Sequence, residues 1–114
     1  MPLDQTLVSH ITDVVGPNGC LTEPGDIAPY LEEERGLFHG ASALVVRPGS
    51  TEEVAAVVKL CAEFGVGVVP QGGNTGLCGG GVPAENGEEI ILALGRMNTV
   101  RDIDATNFTM TAEA

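Results

Sequence analysis

Six of the ten residues from Gly72 to Gly81 are glycine, in the run Pro70-Gln71-Gly72-Gly73-Asn74-Thr75-Gly76-Leu77-Cys78-Gly79-Gly80-Gly81. Glycine accepts positive φ and lets a ligand reach the main chain without meeting a Cβ. Successive amides in such turns can converge on an anion. Each amide-to-phosphate bond is worth roughly 1.5–3 kcal/mol, so three or four give about 5–10 kcal/mol before ordering costs. Asn74 and Thr75 offer side-chain donors at the centre of the run. The chemistry expected of these residues is the cradling of a phosphate. The run holds no Lys, Arg or acidic residue. It therefore fails the G-x-x-x-x-G-K-[ST] pattern on its lysine, which argues against ATP or GTP hydrolysis. Gly79 to Ala84 spells G-x-G-x-x-A, but Pro83 and the acidic stretch from Glu85 to Glu89 contradict a helix opening there. A glycine-rich connector without a ligand is the competing reading.

The elements around the run give it a place. Leu44-Val45-Val46 reads as a short strand, and Ser50-Thr51-Glu52-Glu53 as a capping box that opens a helix. That helix is expected to bury Val54, Val57, Val58, Cys61 and Phe64, to expose Glu52, Lys59 and Glu63, and to stop at Gly65. Val66 to Pro70 reads as a second strand running directly into the glycines. Strand, helix and strand in under thirty residues imply a right-handed crossover and parallel strands, whose carboxyl ends are where ligands sit. Glu89 to Ala93, Val100 to Asp104 and Asn107 to Ala114 read as further strands. The last alternates apolar and polar residues up to Ala114, which suggests a truncated polypeptide whose final strand needs partners from elsewhere. Upstream, Asp4 is expected to cap a helix through about Val15, residues 16–25 to form a loop, and Asp26 to Arg35 a second short helix.

The 114 residues suit one domain or a large part of one, with roughly 65% of the unfolded surface buried. The formal charge of −11 makes nucleic acid and anionic membrane surfaces poor partners. Glu32-Glu33-Glu34 and Glu85 to Glu89 read as solvated surface. Cys20, Cys61 and Cys78 form no C-x-x-C pair, which speaks against a disulfide framework or a zinc site. Cys61 is expected in the core, and His10 and His39 at the surface or at helix ends. Asn107-Phe108-Thr109 has the glycosylation pattern but is discounted. No apolar run reaches the ~20 residues of a membrane helix, and the first residues lack a signal-peptide pattern, so a cytoplasmic location is expected. Arg47 and Arg96 are expected to pair with surface carboxylates, and Tyr30 to be a packed aromatic. No residue has the setting of a catalytic group, and no metal ligands are expected.

The run from Pro70 to Leu77 with Gly79-Gly80 resembles the FAD pyrophosphate loop of the FAD-linked oxidases, the vanillyl-alcohol oxidase and p-cresol methylhydroxylase superfamily. Within it the similarity is to the branch of the D-lactate and D-2-hydroxyglutarate dehydrogenases and glycolate oxidase. Val45-Val46-Arg47-Pro48 with Ser50 to Val54, the Leu94-Gly95-Arg96-Met97-Asn98 segment, and Asp102-Ile103-Asp104 with Thr109 to Ala114 resemble its flanking motifs in order. The likeness runs from about Tyr30 to Ala114. Cys78 departs from the pattern, where valine or another small residue is expected, and is read as a silent replacement.

The resemblance implies an α/β (α+β) fold, a small parallel or mixed sheet flanked by helices. This would be the first subdomain of a p-cresol methylhydroxylase-type FAD-binding domain, residues 43–114 behind a helical lead-in of residues 1–42. It implies FAD held by Pro70, Gln71, Gly72, Gly73, Asn74, Thr75, Gly76, Leu77, Gly79, Gly80, Met97 and Asn98. Some relatives attach the flavin to a histidine in this loop; Asn74 and Thr75 stand in that neighbourhood here, so non-covalent FAD is implied. The implied reaction oxidises a D-2-hydroxy acid to the 2-oxo acid, with a hydride passing to flavin N5 and the electrons leaving to a separate acceptor. Substrate would bind in later domains, and the chain alone would be inactive. From the residues themselves, Asn98 serves a cofactor or caps a turn equally well. A non-catalytic phosphate- or nucleotide-binding module is the alternative, and an α/β interaction domain with a flexible glycine connector the third.

Overall fold

The computed structural model of the chain describes residues 3–114. Helix α1, Gln5–Val15, starts where expected: the Asp4 carboxylate accepts from the Thr6 amide at 2.7 Å. Its stripe of Leu7, Ile11 and Val15 is buried. Helix α3, Thr51–Phe64, is capped by Ser50, whose hydroxyl accepts from the Glu53 amide at 3.2 Å. The Glu53 carboxylate reaches back to the Gly49 amide at 2.6 Å, one residue before the cap. Gly65 ends the helix in the left-handed conformation at φ 67°. Ser50→Ala should cost about 1 kcal/mol of stability, read as a shift in the urea midpoint.

Four strands make the main sheet: β1 Cys20–Leu21, β2 Val45–Val46, β3 Val68–Gln71 and β4 Ile90–Ala93. They lie in the order β1-β2-β4-β3. β4 is parallel to both β2 and β3, and β1 joins the edge antiparallel. β2 and β3 are thus parallel, with β4 between them. A central strand covered on both faces needs an unbroken apolar run, and all four residues of β4 are buried. Period two divides the core. Leu44, Val46, Ile90 and Leu92 pack with α1, Val57 and Cys61 on one face. Val45, Ile91 and Ala93 pack with Ile27 on the other, with Leu21, Tyr30 and Leu31 against them. Tyr30 is the packed aromatic its context suggests.

Several expectations change. The helix anticipated from Asp26 to Arg35 is instead one α-turn, α2 Pro24–Ile27, followed by a 3-10 turn, Ala28–Tyr30. Pro29 has no N–H to donate and its ring crowds the preceding turn, so the helix cannot run on. The stretch from Gly16 to Gly25 is less irregular than a loop, because it contributes edge strand β1. On α3, Val58 is 44% exposed, while Leu60, absent from the expected stripe, packs against the core. The final strand finds its partner inside the chain. β5 Val100–Asp104 and β6 Thr109–Ala112 form a separate antiparallel hairpin with an irregularity between Val100 and Asp102. The Asp104 carboxylate holds its turn, accepting from the Thr106 and Asn107 amides and from Asn107 Nδ2 at 2.9–3.1 Å.

Candidate functional site

Because β2, β3 and β4 are parallel, their carboxyl ends share one edge of the sheet. β3 delivers the glycine run there, and β4 delivers Leu94 to Asn98 beside it. The Leu94 amide donates to the Gln71 carbonyl at 2.9 Å, which ties the two exits together. Gln71 is 3% exposed and fastens the base of the loop. Its Nε2 donates to the carbonyls of Tyr30 at 2.9 Å and Gly81 at 2.7 Å. One buried amide thus joins the two ends of the glycine run to the lead-in segment.

Above Gln71 the loop folds around a hollow of about 240 Å³. Pro70, Gln71, Gly72, Gly73, Asn74, Thr75, Gly76 and Gly79 line it, with Glu33, Gly81 and Val82. A second hollow of about 290 Å³ lies between Gly72-Gly73 and the Leu94-Gly95, Met97-Asn98 pair of segments, beside Glu113 and Ala114. Ten of the twelve expected residues therefore line one or both of two hollows that share Gly72 and Gly73. Leu77 and Gly80 line neither. Leu77 instead offers its carbonyl to Arg35.

The glycines differ in why they are glycine. Gly79 has φ +83°, and a Cβ there would stand 2.9 Å from the Phe38 ring, so the fold itself requires it. Gly72 and Gly76 have ordinary φ, and a Cβ on either would meet no protein atom within 4 Å. At Gly73 the nearest atom is a Thr75 methyl at 3.8 Å. Nothing in the chain's own packing demands glycine at these three hollow-lining positions. A ligand in close contact with the main chain would. The residues fit a pyrophosphate in this respect, and no lysine or arginine lines the first hollow.

Two of the side-chain donors also have partners within the protein. Asn74 adopts φ 56°, and its Nδ2 donates to the Glu32 carbonyl at 2.7 Å, so one of its two N–H groups is held by the protein. Asn98 turns its Nδ2 to the Gly95 carbonyl at 3.4 Å, the turn-capping role, while lining the second hollow. Arg96 makes no ion pair among the described residues; it donates to the Arg47 carbonyl at 2.8 Å. Cys78 is exposed beside the loop, Cys61 is buried as expected, and burial raises the pKa of the Cys61 thiol. The described residues contain no cluster of three potential metal ligands.

The sequence reading missed Glu33. Within the run Glu32-Glu33-Glu34 it is 4% exposed and lines the first hollow. Its carboxylate accepts from the amides of Arg35 at 3.0 Å, Leu37 at 2.6 Å and Phe38 at 3.4 Å, and lies 3.5 Å from Arg35 Nε. Desolvation opposes its charge, but these donors outweigh it and hold the carboxyl below the usual glutamate range. A carboxylate with a depressed folded-state pKa stabilises the fold above its unfolded value. That contribution is lost as pH falls through the lowered value. The Leu37 amide chemical shift should therefore stay constant from neutral pH down to the ordinary glutamate range and move only below it. Gly36, at φ 68°, was the available signal for a turn here.

Comparison with known proteins agrees with this geometry. The family model described as "FAD binding domain" matches residues 42–114. A probable mitochondrial D-2-hydroxyglutarate dehydrogenase of Oryza sativa is 36% identical over 107 residues, covering 94% of this chain and 19% of that protein. The D-2-hydroxyglutarate–pyruvate transhydrogenase of Saccharomyces cerevisiae is 38% identical over 114 residues, covering 98% and 23%. A solved alkyldihydroxyacetonephosphate synthase superposes with TM-score 0.80 at 22% identity, over 96% of this chain and 22% of that one, which speaks for the fold. p-Cresol methylhydroxylase with substrate bound superposes with TM-score 0.73 at 26% identity, over 88% and 20%. The chain spans about a fifth of the length of these relatives. With a parallel-strand edge, a glycine-lined hollow and a family match over more than half of its residues, the chain belongs to the FAD-binding domain family of the vanillyl-alcohol oxidase and p-cresol methylhydroxylase type.

Proposed function

We propose that the chain is the first subdomain of the FAD-binding domain of an oxidoreductase that converts a D-2-hydroxy acid of the D-lactate, D-2-hydroxyglutarate or glycolate type to its 2-oxo acid. Residues 43–114 form that subdomain and residues 1–42 lead into it. Pro70, Gln71, Gly72, Gly73, Asn74, Thr75, Gly76, Leu77, Gly79 and Gly80 hold the cofactor around its pyrophosphate, and Met97 and Asn98 border it from the neighbouring strand exit. The observation that carries this reading is the set of glycines lining the hollow that the fold does not need. FAD, when bound, supplies the two-electron acceptor. The chain's own contribution is binding and orientation. Main-chain amides meet the anion, Gln71 holds the base of the loop, and Asn74 shapes its centre from the protein side.

The names of the relatives support the D-2-hydroxy acid class and favour D-2-hydroxyglutarate; a glycolate substrate rests on the resemblance alone. Neither histidine lies in the loop, which supports non-covalent FAD. We retain the cytoplasm as the location of this protein, although the rice relative is named mitochondrial; fractionation of cells producing a tagged copy decides it. No helix among the described residues is long and apolar enough to cross a membrane.

The test is the full-length polypeptide carrying this chain, purified with FAD supplied. A flavin absorption band that acid precipitation releases into the supernatant, with bleaching on addition of D-2-hydroxyglutarate or D-lactate, is the expected result. A folded sample without a flavin band refutes the cofactor assignment. A flavin band unmoved by any 2-hydroxy acid refutes the substrate class.

A further inference from the structure

Residues 72–81 contain no strand or helix, so their shape must be imposed by contacts with other segments. Much of that shape comes from the lead-in, ahead of the region the family model covers. Asn74 bonds to the Glu32 carbonyl, and Gly79 lies against the Phe38 ring. The longest reach is made by Arg35. Its Nε faces the buried Glu33 carboxylate at 3.5 Å, and its Nη2 donates to the Leu77 carbonyl, 42 residues further along the chain. The planar guanidinium makes both contacts from one rigid fork, which an ammonium cannot reproduce.

We propose that Arg35 is a positioning residue for FAD, holding the Leu77 carbonyl out of the anion hollow while shielding the Glu33 carboxylate that lines it. The inference rests on the reading of the glycine loop as the pyrophosphate site. Two physical effects combine. An amide nest works only if its carbonyls face elsewhere, because a carbonyl dipole turned inward repels the anion. Leu77 is the loop residue whose carbonyl is gripped by a charged donor, and Leu77 does not line the hollow. Glu33, for its part, is the only charged residue lining the hollow among the described residues, and its charge opposes that of a pyrophosphate. The Arg35 guanidinium beside it offsets the opposition. The three main-chain amides fix the carboxylate in the orientation that meets Arg35.

Arg35 is exposed, so its replacement should leave the fold intact. In the full-length polypeptide, Arg35→Ala should weaken FAD binding about tenfold, with the melting temperature of the apoprotein unchanged within about 2 °C. Arg35→Lys, which keeps the charge but loses the fork, should fall between the two. The ³¹P resonances of bound FAD should shift in Arg35→Ala, a signature that lost packing elsewhere would not produce. Unchanged FAD affinity in Arg35→Ala overturns the proposal, as does a lowered melting temperature with normal affinity in the folded fraction. A wild-type protein that binds no FAD overturns the cofactor assignment itself, and is recognised because it involves no variant.

Discussion

Gly76→Val should strip the protein of FAD while leaving its fold in place. Gly76 is exposed, has no positive φ, and a Cβ there meets no protein atom within 4 Å. Surface substitutions of this kind usually change stability by no more than about 0.5 kcal/mol. Gly76 lines the hollow, so a bulkier residue at this position is expected to crowd an anion approaching the main chain. Losing two close amide contacts should weaken FAD binding by about a hundredfold or more, equivalent to about 2.7 kcal/mol. Gly79→Ala, at another residue lining the hollow, should in addition cost stability. Its φ of +83° and the Phe38 ring 2.9 Å from the new Cβ place the penalty in the fold, at about 1–2 kcal/mol from the backbone alone. Melting temperature and FAD titration, measured on both variants, separate a glycine kept for the ligand alone from one kept for the chain as well.

Gln71→Leu should be the most damaging single change at the base of the loop. The leucine is close in size, so packing is largely preserved, but the carbonyls of Tyr30 and Gly81 lose their donor together. Each part-buried acceptor left without a partner costs about 1–3 kcal/mol, so a loss of about 2–6 kcal/mol is expected in urea unfolding. FAD should dissociate faster as well, because the amide of Gln71 is what closes the ends of the glycine run onto each other. A stability loss below about 0.5 kcal/mol would show that water replaces Gln71 without penalty.

The parts of this fold written in local patterns were legible in the sequence. The apolar runs Leu44-Val45-Val46 and Ile90 to Ala93 identified the two strands that carry both core faces. The Ser50–Glu53 box fixed the start of α3, and the position of the glycines after a parallel strand marked the place of the glycine-lined hollow. The parts that depend on distant partners were not legible. Glu33 sits between two exposed glutamates, and only the amides of the turn that follows explain its burial. No local rule announces the Glu32 carbonyl that accepts from the Asn74 side-chain amide. The overlong second helix had a local warning in Pro29, which lacks the N–H that a continuing helix needs. β5 and β6 were legible as strands, but the alternation of β6 suggested partners from elsewhere, whereas it pairs with β5 and stays exposed.

The central claim is that the glycine loop recognises the pyrophosphate of FAD, and the measurement closest to it compares FAD with riboflavin, the same flavin without the pyrophosphate and adenosine. Calorimetric titration of the folded full-length apoprotein should show FAD binding at least about a hundredfold tighter than riboflavin, with most of that advantage lost in Gly76→Val. Equal affinity for the two flavins, or an FAD preference untouched by Gly76→Val, would contradict the account.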